Sequence, residues 1–198
     1  MVRRAPARVR HRVVMEPMTR AELDDGLDHV LGSPLDHAVV ELLVARPAVG
    51  ERTVLDEAKL DPATGLVGDS WVDRFSRHTP DGLPNPVVQL TLMNARAAAL
   101  VAQTADRWPL AGDQLFVDLE LGYDNLPAGT QLQVGTAVVE ITDEPHTGCA
   151  KFADRFGTDA VRWVNSSVGR AHNLRGVNAR VITGGVVRPG DKVHKLLV

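Results

Sequence analysis

The stretch "LQVGTAVVEITDEPHTGCAKF", residues 132–152, carries the pattern on which the fold prediction rests. Apolar residues alternate with polar ones along "LQV" and again along "AVVEI", but the parity shifts across Gly135 and Thr136. Alternation with a period of two predicts strands with one buried face, and a parity shift at a glycine predicts a hairpin or a bulge. The stretch therefore predicts two short strands, the second of which leads toward Cys149.

The neighbouring segments show the same kind of pattern. One of them, "QLFVDLEL" at residues 114–121, places its apolar and polar residues on opposite sides: Leu115, Val117, Leu119 and Leu121 against Gln114, Asp118 and Glu120. Similar β-rich runs occur at 39–45, 87–92 and 178–198, and glycine or proline turns separate them. Many short strands at this spacing predict a mainly β fold that closes into a barrel.

Helices are predicted at three places between the strands. Thr19 and Glu22 form a capping-box pattern before "RAELDDGLDHVLG", and Asn94 is a suitable N-cap for the alanine-rich "NARAAALVA". The segment "DAVRWVNS", residues 159–166, predicts one or two helical turns. The expected fold is therefore a β-barrel with a few short helices.

Composition limits the class of protein. The chain has 198 residues, of which 44% are hydrophobic and 24% charged, as expected for a soluble globular protein with one core. Its apolar runs fall far short of the ~20 residues that span a bilayer, so no membrane association is expected. A single cysteine cannot form an internal disulfide, and a cytoplasmic localisation is expected.

The charges are unevenly distributed. Five arginines and no acidic residues lie in the first twelve positions, and the rest of the chain has 17 basic and 25 acidic residues. An acidic body argues against general binding of nucleic acid, which requires many phosphates to be neutralised. Residues 1–18 are predicted to be a basic, disordered arm, and the true start of the protein is left open between Met1, Met15 and Met18. The start lacks the apolar segment of a secretory signal.

Cys149 is the residue most suited to chemistry. It is the only cysteine, it follows Gly148 at the end of a predicted strand, and Lys151 lies two residues further on. A nearby cation favours the thiolate, which is a soft metal ligand and a nucleophile. A lone cysteine also suits a buried apolar position, and the spacing leaves both interpretations open. His146 and Cys149 alone do not make a zinc site, which needs four ligands.

Further polar residues occur in two segments. "RGVNAR", residues 175–180, places Arg175 and Asn178 at the start of a strand, where they suit either a phosphate or pterin edge or an ordinary surface. "TGLVGDSW", residues 64–71, lacks the lysine of a nucleotide-binding loop and predicts a tight turn capped by Asp69. The long loop at 60–86 adds three basic side chains that either extend the positive charge or are solvated: Arg74, Arg77 and His78.

The order of these segments resembles the MOSC domain, which occurs at the C-terminus of molybdenum cofactor sulfurases and in small stand-alone proteins. The resemblance covers residues 51–198, and residues 19–50 are interpreted as an additional helix and strand packed on the core. One departure is "AGDQL" at residues 111–115, where the family commonly has a "GEN"-like turn. The resemblance rests on five segments in order: "GLVGD", "VVQLTLMNARAAAL", "AGDQLFVDLEL", "LQVGTAVVEITDEPHTGCAKF" and "RGVNARVITGGVVRPGDKV".

The resemblance implies a barrel similar to that of pyruvate kinase and a signature cysteine that carries sulfur or ligates molybdenum. Cys149 matches this cysteine and is the implied catalytic residue and metal ligand. The resemblance also implies contacts to a molybdopterin-type cofactor from six other residues: Thr147, Lys151, Arg175, Asn178, Asp69 and Arg74. No pyridoxal-phosphate domain of the kind found in full sulfurases fits in this length.

Three functions remain open at this point. The first is a stand-alone MOSC protein that binds molybdenum cofactor or carries sulfur on Cys149, with a cysteine desulfurase as sulfur donor. The second is a molybdenum-dependent reductase of N-hydroxylated small compounds that works with a separate redox partner. The third is a non-enzymatic barrel that binds a small anion. Whether the protein is an enzyme, a sulfurtransferase or an oxidoreductase, and its oligomeric state, do not follow from the sequence.

Overall fold

A computed structural model describes residues 15–76 and 79–196 of the chain. The first fourteen residues of the predicted arm, together with Arg77 and His78, lie outside the described residues. The strands are β1 (Ala38–Ala45), β2 (Thr53–Leu55), β3 (Ala58–Asp61), β4 (Gly65–Leu66), β5 (Leu90–Asn94), β6 (Leu115–Val117), β7 (Gln131–Val134), β8 (Ala137–Ile141), β9 (Val177–Thr183), β10 (Gly185–Val187) and β11 (Lys192–Lys195). The helices are α1 (Arg20–Asp25), α2 (Leu27–Leu31), α3 (Ala95–Ala102), α4 (Ala150–Phe156), α5 (Thr158–Val164) and α6 (Ser167–Ala171), with 3-10 helical turns at Ser70–Asp73, Pro86–Val88 and Ala105–Ala111.

Seven of the strands close into a mixed barrel, in the order β1, β11, β7, β8, β9, β5, β6 and back to β1. The pair β5–β6 is parallel, and the other neighbours in the barrel pair antiparallel. A mainly β, barrel-like fold with a few short helices is thereby confirmed. Because β1 pairs with both β6 and β11, the strand at residues 38–45 is part of the barrel itself and does not pack on it from outside.

The two faces of the strands are buried in two different cores. Leu115 and Val117 of β6 belong to the core inside the barrel, whereas Phe116 between them packs into a second core beneath the helices. This alternation follows from the period of two in a strand. The polar side of the same stretch is buried as well, because the Gln114 side chain accepts hydrogen bonds from the backbone and hydroxyl of Thr91, both at 2.8 Å.

Several local predictions are confirmed. The parity shift at Gly135 and Thr136 is a hairpin between β7 and β8. Asn94 caps α3 and accepts a hydrogen bond from the Ala97 backbone. The predicted N-terminal helix is instead two short helices that meet at Gly26, where an added Cβ would lie 2.6 Å from Leu100. Over the described ranges, no helix is both long enough and apolar enough to cross a bilayer.

Candidate functional site

Cys149 lies on the wall of an open pocket of about 690 Å³. The residue is exposed and occupies the N-cap position of α4, so it does not fill apolar space in the core. Asp73 is the one carboxylate among the residues that the structure describes as lining the pocket. The cationic residues that line it are Arg46, Arg52, Arg74, Lys151, Arg155 and Arg175.

Strand register brings distant parts of the chain to this pocket. Leu43 of β1, Leu115 of β6, Leu92 of β5 and Val177 of β9 form one row across four neighbouring strands. Arg46 after β1 and Asp113 before β6 lie beyond the same side of this row, although they are far apart in sequence. Arg175 precedes β9 on the other side of the row, and its side chain reaches Asp113 at 2.7 Å.

Helix α4 carries both the thiol and two of the cations. Lys151 and Arg155 are four residues apart and therefore share a face of the helix, while Cys149 precedes its first turn. The other face is anchored by Phe152 and Phe156, which are buried with their ring centroids 4.9 Å apart. The pocket-lining side chains of α4 are thus held on one packed element.

The backbone immediately before Cys149 is fixed by Asn165. The amide side chain of Asn165 accepts a hydrogen bond from the Gly148 N–H and donates one to the Gly148 carbonyl, both at 2.9 Å. A Cβ on Gly148 would lie 2.8 Å from the Cγ2 atoms of Val161 and Val164, so only glycine lets the chain approach α5 this closely. This contact sets the direction in which the chain enters Cys149.

Three consecutive carbonyls, those of residues 110–112, bind three guanidinium groups. They accept hydrogen bonds from Arg155, from Arg175 at 2.9 Å and from Arg46 at 3.1 Å, in that order along the chain. Asp113 follows directly and binds Arg175 at 2.7 Å. The "AGD" segment, which departs from the family's usual turn, therefore organises the arginines around the pocket.

Two of the arginines form ion pairs with buried carboxylates that do not line the pocket. Asp69 binds Arg46 with both carboxylate oxygens, at 2.8 and 3.0 Å, and its side chain is fully buried. It also accepts a hydrogen bond from the Trp71 backbone, which confirms the predicted capped turn. Asp113 is likewise fully buried against Arg175. Asp69 thus positions an arginine and does not itself line the pocket.

The remaining cations are not neutralised in this way. Among the described residues, neither Arg52 nor Arg155 has a carboxylate within ion-pair distance, and Arg74 lies 4.0 Å from Asp69. Burial, and then repulsion from neighbouring guanidinium groups, lowers the pKa of Arg52 and of Arg74. Mutual repulsion of this kind is relieved when an anion binds, so the pocket is suited to an anionic ligand.

His146 lies against the buried ion pair at the inner end of the pocket. Its Nδ1 is 3.5 Å from an oxygen of Asp113, and neither atom has a hydrogen-bond partner within the described chain. Burial, followed by repulsion from Arg175, lowers the pKa of His146 to about 4, although Asp113 opposes the shift. His146 is therefore neutral at physiological pH.

The neutral state of His146 predicts a pH-dependent stability. The unfolded chain takes up a proton near pH 6.5 and the folded chain only near pH 4, so stability from this residue is present above pH 6.5 and is lost as the pH falls toward 4. We expect the free energy of unfolding to drop by about 2 kcal/mol between pH 7 and pH 5 because of this group. Urea unfolding of the wild type and His146→Asn at both pH values checks this, and an equal drop in the variant would show that another group titrates.

The structure brings four of the predicted site residues into the pocket: Cys149, Lys151, Arg175 and Arg74. Two others lie elsewhere. Thr147 lines a separate depression between Pro145 and Gly169, and the Asn178 side chain is engaged with the Glu144 carbonyl at 3.0 Å. Both residues stand close to Cys149 or Arg175 in sequence, but the direction of the chain turns their side chains away from the pocket.

Four residues of the site were not predicted from the sequence: Arg46, Arg52, Arg155 and Asp113. His146 was considered only as a metal ligand beside Cys149. The phenylalanines of α4 at a spacing of four are a local signal for the helix that carries Arg155, and this signal was available in the sequence. Arg46 and Arg52 flank a loop after β1, and no local pattern connects them with Cys149.

Comparison with known proteins identifies the family. A model of the MOSC domain matches residues 89–194, which is more than half of the chain. The chain belongs to the MOSC domain family. The MOSC match spans β5 to β11 of the barrel and includes Cys149 and Arg175. No curated protein sequence matches the chain significantly.

Solved structures share the fold of this MOSC protein. YuaD from Bacillus subtilis is similar over 81% of this chain and 97% of its own, with a TM-score of 0.58 and 16% identity. YiiM from Escherichia coli is similar over 81% of this chain and 70% of its own, with a TM-score of 0.52 and 18% identity. At these identities the similarity concerns the fold, and the function has to be argued from the site.

Proposed function

We propose that this MOSC protein binds molybdenum cofactor in the cationic pocket, with Cys149 as its ligand to molybdenum or as the carrier of a transferred sulfur. One observation carries the proposal: the single cysteine of the chain is exposed on the wall of a pocket lined by six cationic side chains. A polarisable thiolate suits molybdenum or a persulfide, and guanidinium groups suit the anionic parts of the cofactor.

The donor set of the pocket fits such a cofactor. Within the described ranges, no three His, Cys, Asp or Glu side chains are grouped so that they could hold a metal ion. A metal bound through Cys149 would therefore need its other ligands from the cofactor that carries it. The buried Nε atoms of Arg52 and Arg175 have no hydrogen-bond partner in the described chain, so the protein does not satisfy all donors of these two guanidinium groups.

The residues of this chain have separate tasks in the proposal. Cys149 supplies the sulfur, and the Asn165 contact with Gly148 fixes where that sulfur lies. Arg46 and Arg175 are held in place by Asp69 and Asp113, so they need not reorganise when an anion binds. The bound cofactor would supply the redox chemistry of molybdenum or the acceptor for sulfur.

Sulfur carriage would use a persulfide donor such as a cysteine desulfurase. The Cys149 thiolate attacks the terminal sulfur of the donor's persulfide, a new S–S bond forms on Cys149, and the donor's cysteine leaves as a thiolate. No external oxidant is needed because the transferred sulfur already has the oxidation level of the persulfide. The exposure of Cys149 allows a partner protein to reach the thiol.

Analysis of the purified protein tests the proposal. Protein from a host that makes molybdenum cofactor is expected to contain molybdenum by elemental analysis and to release a fluorescent pterin on oxidation. Treatment of the cofactor-free protein with a desulfurase and cysteine is expected to add about 32 Da, the mass of one sulfur, if Cys149 is a carrier. Protein with neither cofactor nor added sulfur would refute the proposal. If the protein contains cofactor but does not accept sulfur, Cys149 is assigned as the molybdenum ligand. If it accepts sulfur but contains no cofactor, Cys149 is assigned as a sulfur carrier.

A further inference from the structure

Two arginines of the pocket converge on Gly112. A Cβ built on this glycine would lie 3.3 Å from Nη2 of Arg52 and 3.8 Å from Nη1 of Arg155. Gly112 has a φ of +92°, so both its backbone conformation and the space beside it favour glycine. The absence of a side chain at this position leaves open the space toward which the two guanidinium groups point.

The positive charge of neither arginine is balanced by a carboxylate of the described chain. Arg52 donates to the Glu51 carbonyl and Arg155 to the Leu110 carbonyl, but neither forms an ion pair there. The Nε of Arg52 is buried and has no partner among the described residues. Repulsion from Arg155 is the largest electrostatic contribution that lowers the pKa of Arg52, after burial itself.

The two buried arginines of the pocket differ in this respect. Arg46 is neutralised by Asp69 and Arg175 by Asp113, at 2.8 and 2.7 Å. Among the described residues that line the pocket, Arg52, Arg155 and Lys151 have no carboxylate partner, and the two arginines converge on Gly112. An anion placed between these two groups would gain two charged partners without displacing a carboxylate.

The arginine pair is separated from the thiol along α4. Arg155 is six residues beyond Cys149, which at the rise of an α-helix corresponds to about 9 Å. Lys151 lies between them on the pocket side of the helix. A ligand that contacts both the Cys149 and Arg155 side chains therefore has to extend along the helix.

We propose that Arg52 and Arg155 form a phosphate subsite of the pocket beside Gly112. A tetrahedral phosphate presents several oxygens, and guanidinium groups bind such oxygens in pairs with charge-assisted hydrogen bonds. The phosphate is either an ester within the cofactor, in which case this part of the inference rests on the proposed function, or free phosphate. The subsite itself follows from the two arginines and does not depend on the cofactor.

Titration of the cofactor-free protein with inorganic phosphate tests the subsite. The Nε–H signals of Arg52 and Arg155 in a ¹⁵N spectrum are expected to shift with phosphate, and calorimetry supplies the affinity. Arg52→Gln and Arg155→Gln are each expected to weaken binding about tenfold or more, because each removes a charged partner. Arg162→Gln is the control, since Arg162 is an exposed arginine on the neighbouring α5 whose side chain is 73% accessible.

The subsite would be overturned if Arg155→Gln bound phosphate as tightly as wild type. It would also be overturned if Arg162→Gln weakened phosphate binding as much as Arg155→Gln does. The urea midpoint of Arg155→Gln should be close to that of wild type, which shows that the protein is still folded. A much lower midpoint together with weakened binding would attribute the loss to distortion of the fold and would also count against the subsite.

Cofactor content separates the two sources of phosphate. If the phosphate belongs to the cofactor, Arg52→Gln and Arg155→Gln purified from a cofactor-producing host lose molybdenum and pterin together. If free phosphate is the ligand, the cofactor content is unchanged while phosphate binding is lost. Wild-type protein without molybdenum or persulfide, but with phosphate binding that depends on Arg155, would refute the proposed function and leave the subsite standing.

Discussion

Cys149→Ser is expected to remove molybdenum from the purified protein and to abolish persulfide formation. The chain has no second cysteine that could replace the lost sulfur. Changes behind a metal ligand typically cost 10–100-fold in affinity, so loss of the ligand itself is expected to cost at least about 100-fold. Elemental analysis and the mass of the desulfurase-treated protein measure the two effects.

The same substitution should leave the fold intact. Cys149 is exposed, its side chain makes no capping hydrogen bond, and serine is a favourable N-cap residue. We therefore expect an unchanged or slightly higher urea midpoint and unchanged binding of inorganic phosphate. Ala150→Ser is the matched control, because it places the same hydroxyl at the next, exposed position and keeps the thiol. Full molybdenum content in Cys149→Ser would show that the thiol is not the ligand.

Asp113→Ala is expected to cause the largest loss of stability among single substitutions at the site. The substitution leaves the guanidinium of Arg175 buried without its carboxylate, and breaking a buried ion pair in this way costs about 3–5 kcal/mol. Urea unfolding of the cofactor-free protein measures the change. Asp113→Asn retains the shape of the side chain and separates the loss of charge from the loss of packing.

A surface ion pair supplies the comparison for Asp113→Ala. Glu57 pairs with Arg188, and more than half of each side chain is exposed to solvent. Exposed pairs contribute about 0–1 kcal/mol, so Glu57→Ala should change the free energy of unfolding very little. Equal effects of the two substitutions would mean that the Asp113–Arg175 pair does not organise the pocket.

Much of the fold could be predicted from local patterns. The parity shift at Gly135 predicts the β7–β8 hairpin because side chains in a strand alternate between two faces. Asn94 and Asp69 predict their capped turns because each side chain accepts a hydrogen bond from a backbone N–H only two or three residues further on. Such contacts are encoded within a few residues and are therefore readable in one sequence.

The exposure of Cys149 could not be predicted in the same way. A lone cysteine near an apolar strand suits a core position as well as an active one. The outcome depends on the unpredicted helix α4, which begins directly after Cys149, and on the Asn165 contact that fixes Gly148. These are contacts between segments, and residue type alone does not encode them.

By itself, the sequence determined a mainly β chain with a single cysteine, in an order of segments that resembles the MOSC domain. The structure ends β8 at Ile141 and places Cys149 before α4 instead of at the end of that strand. Only the tertiary structure decided that four arginines meet around residues 110–112 and that the cysteine faces them. The reason is that the register of β1 and β6 places Arg46 and Asp113 on the same side of the barrel, while the Arg175 side chain reaches the same carboxylate from the start of β9. Alternation and capping act over a few residues, whereas the charge of the pocket is assembled from segments that only the folded barrel brings together.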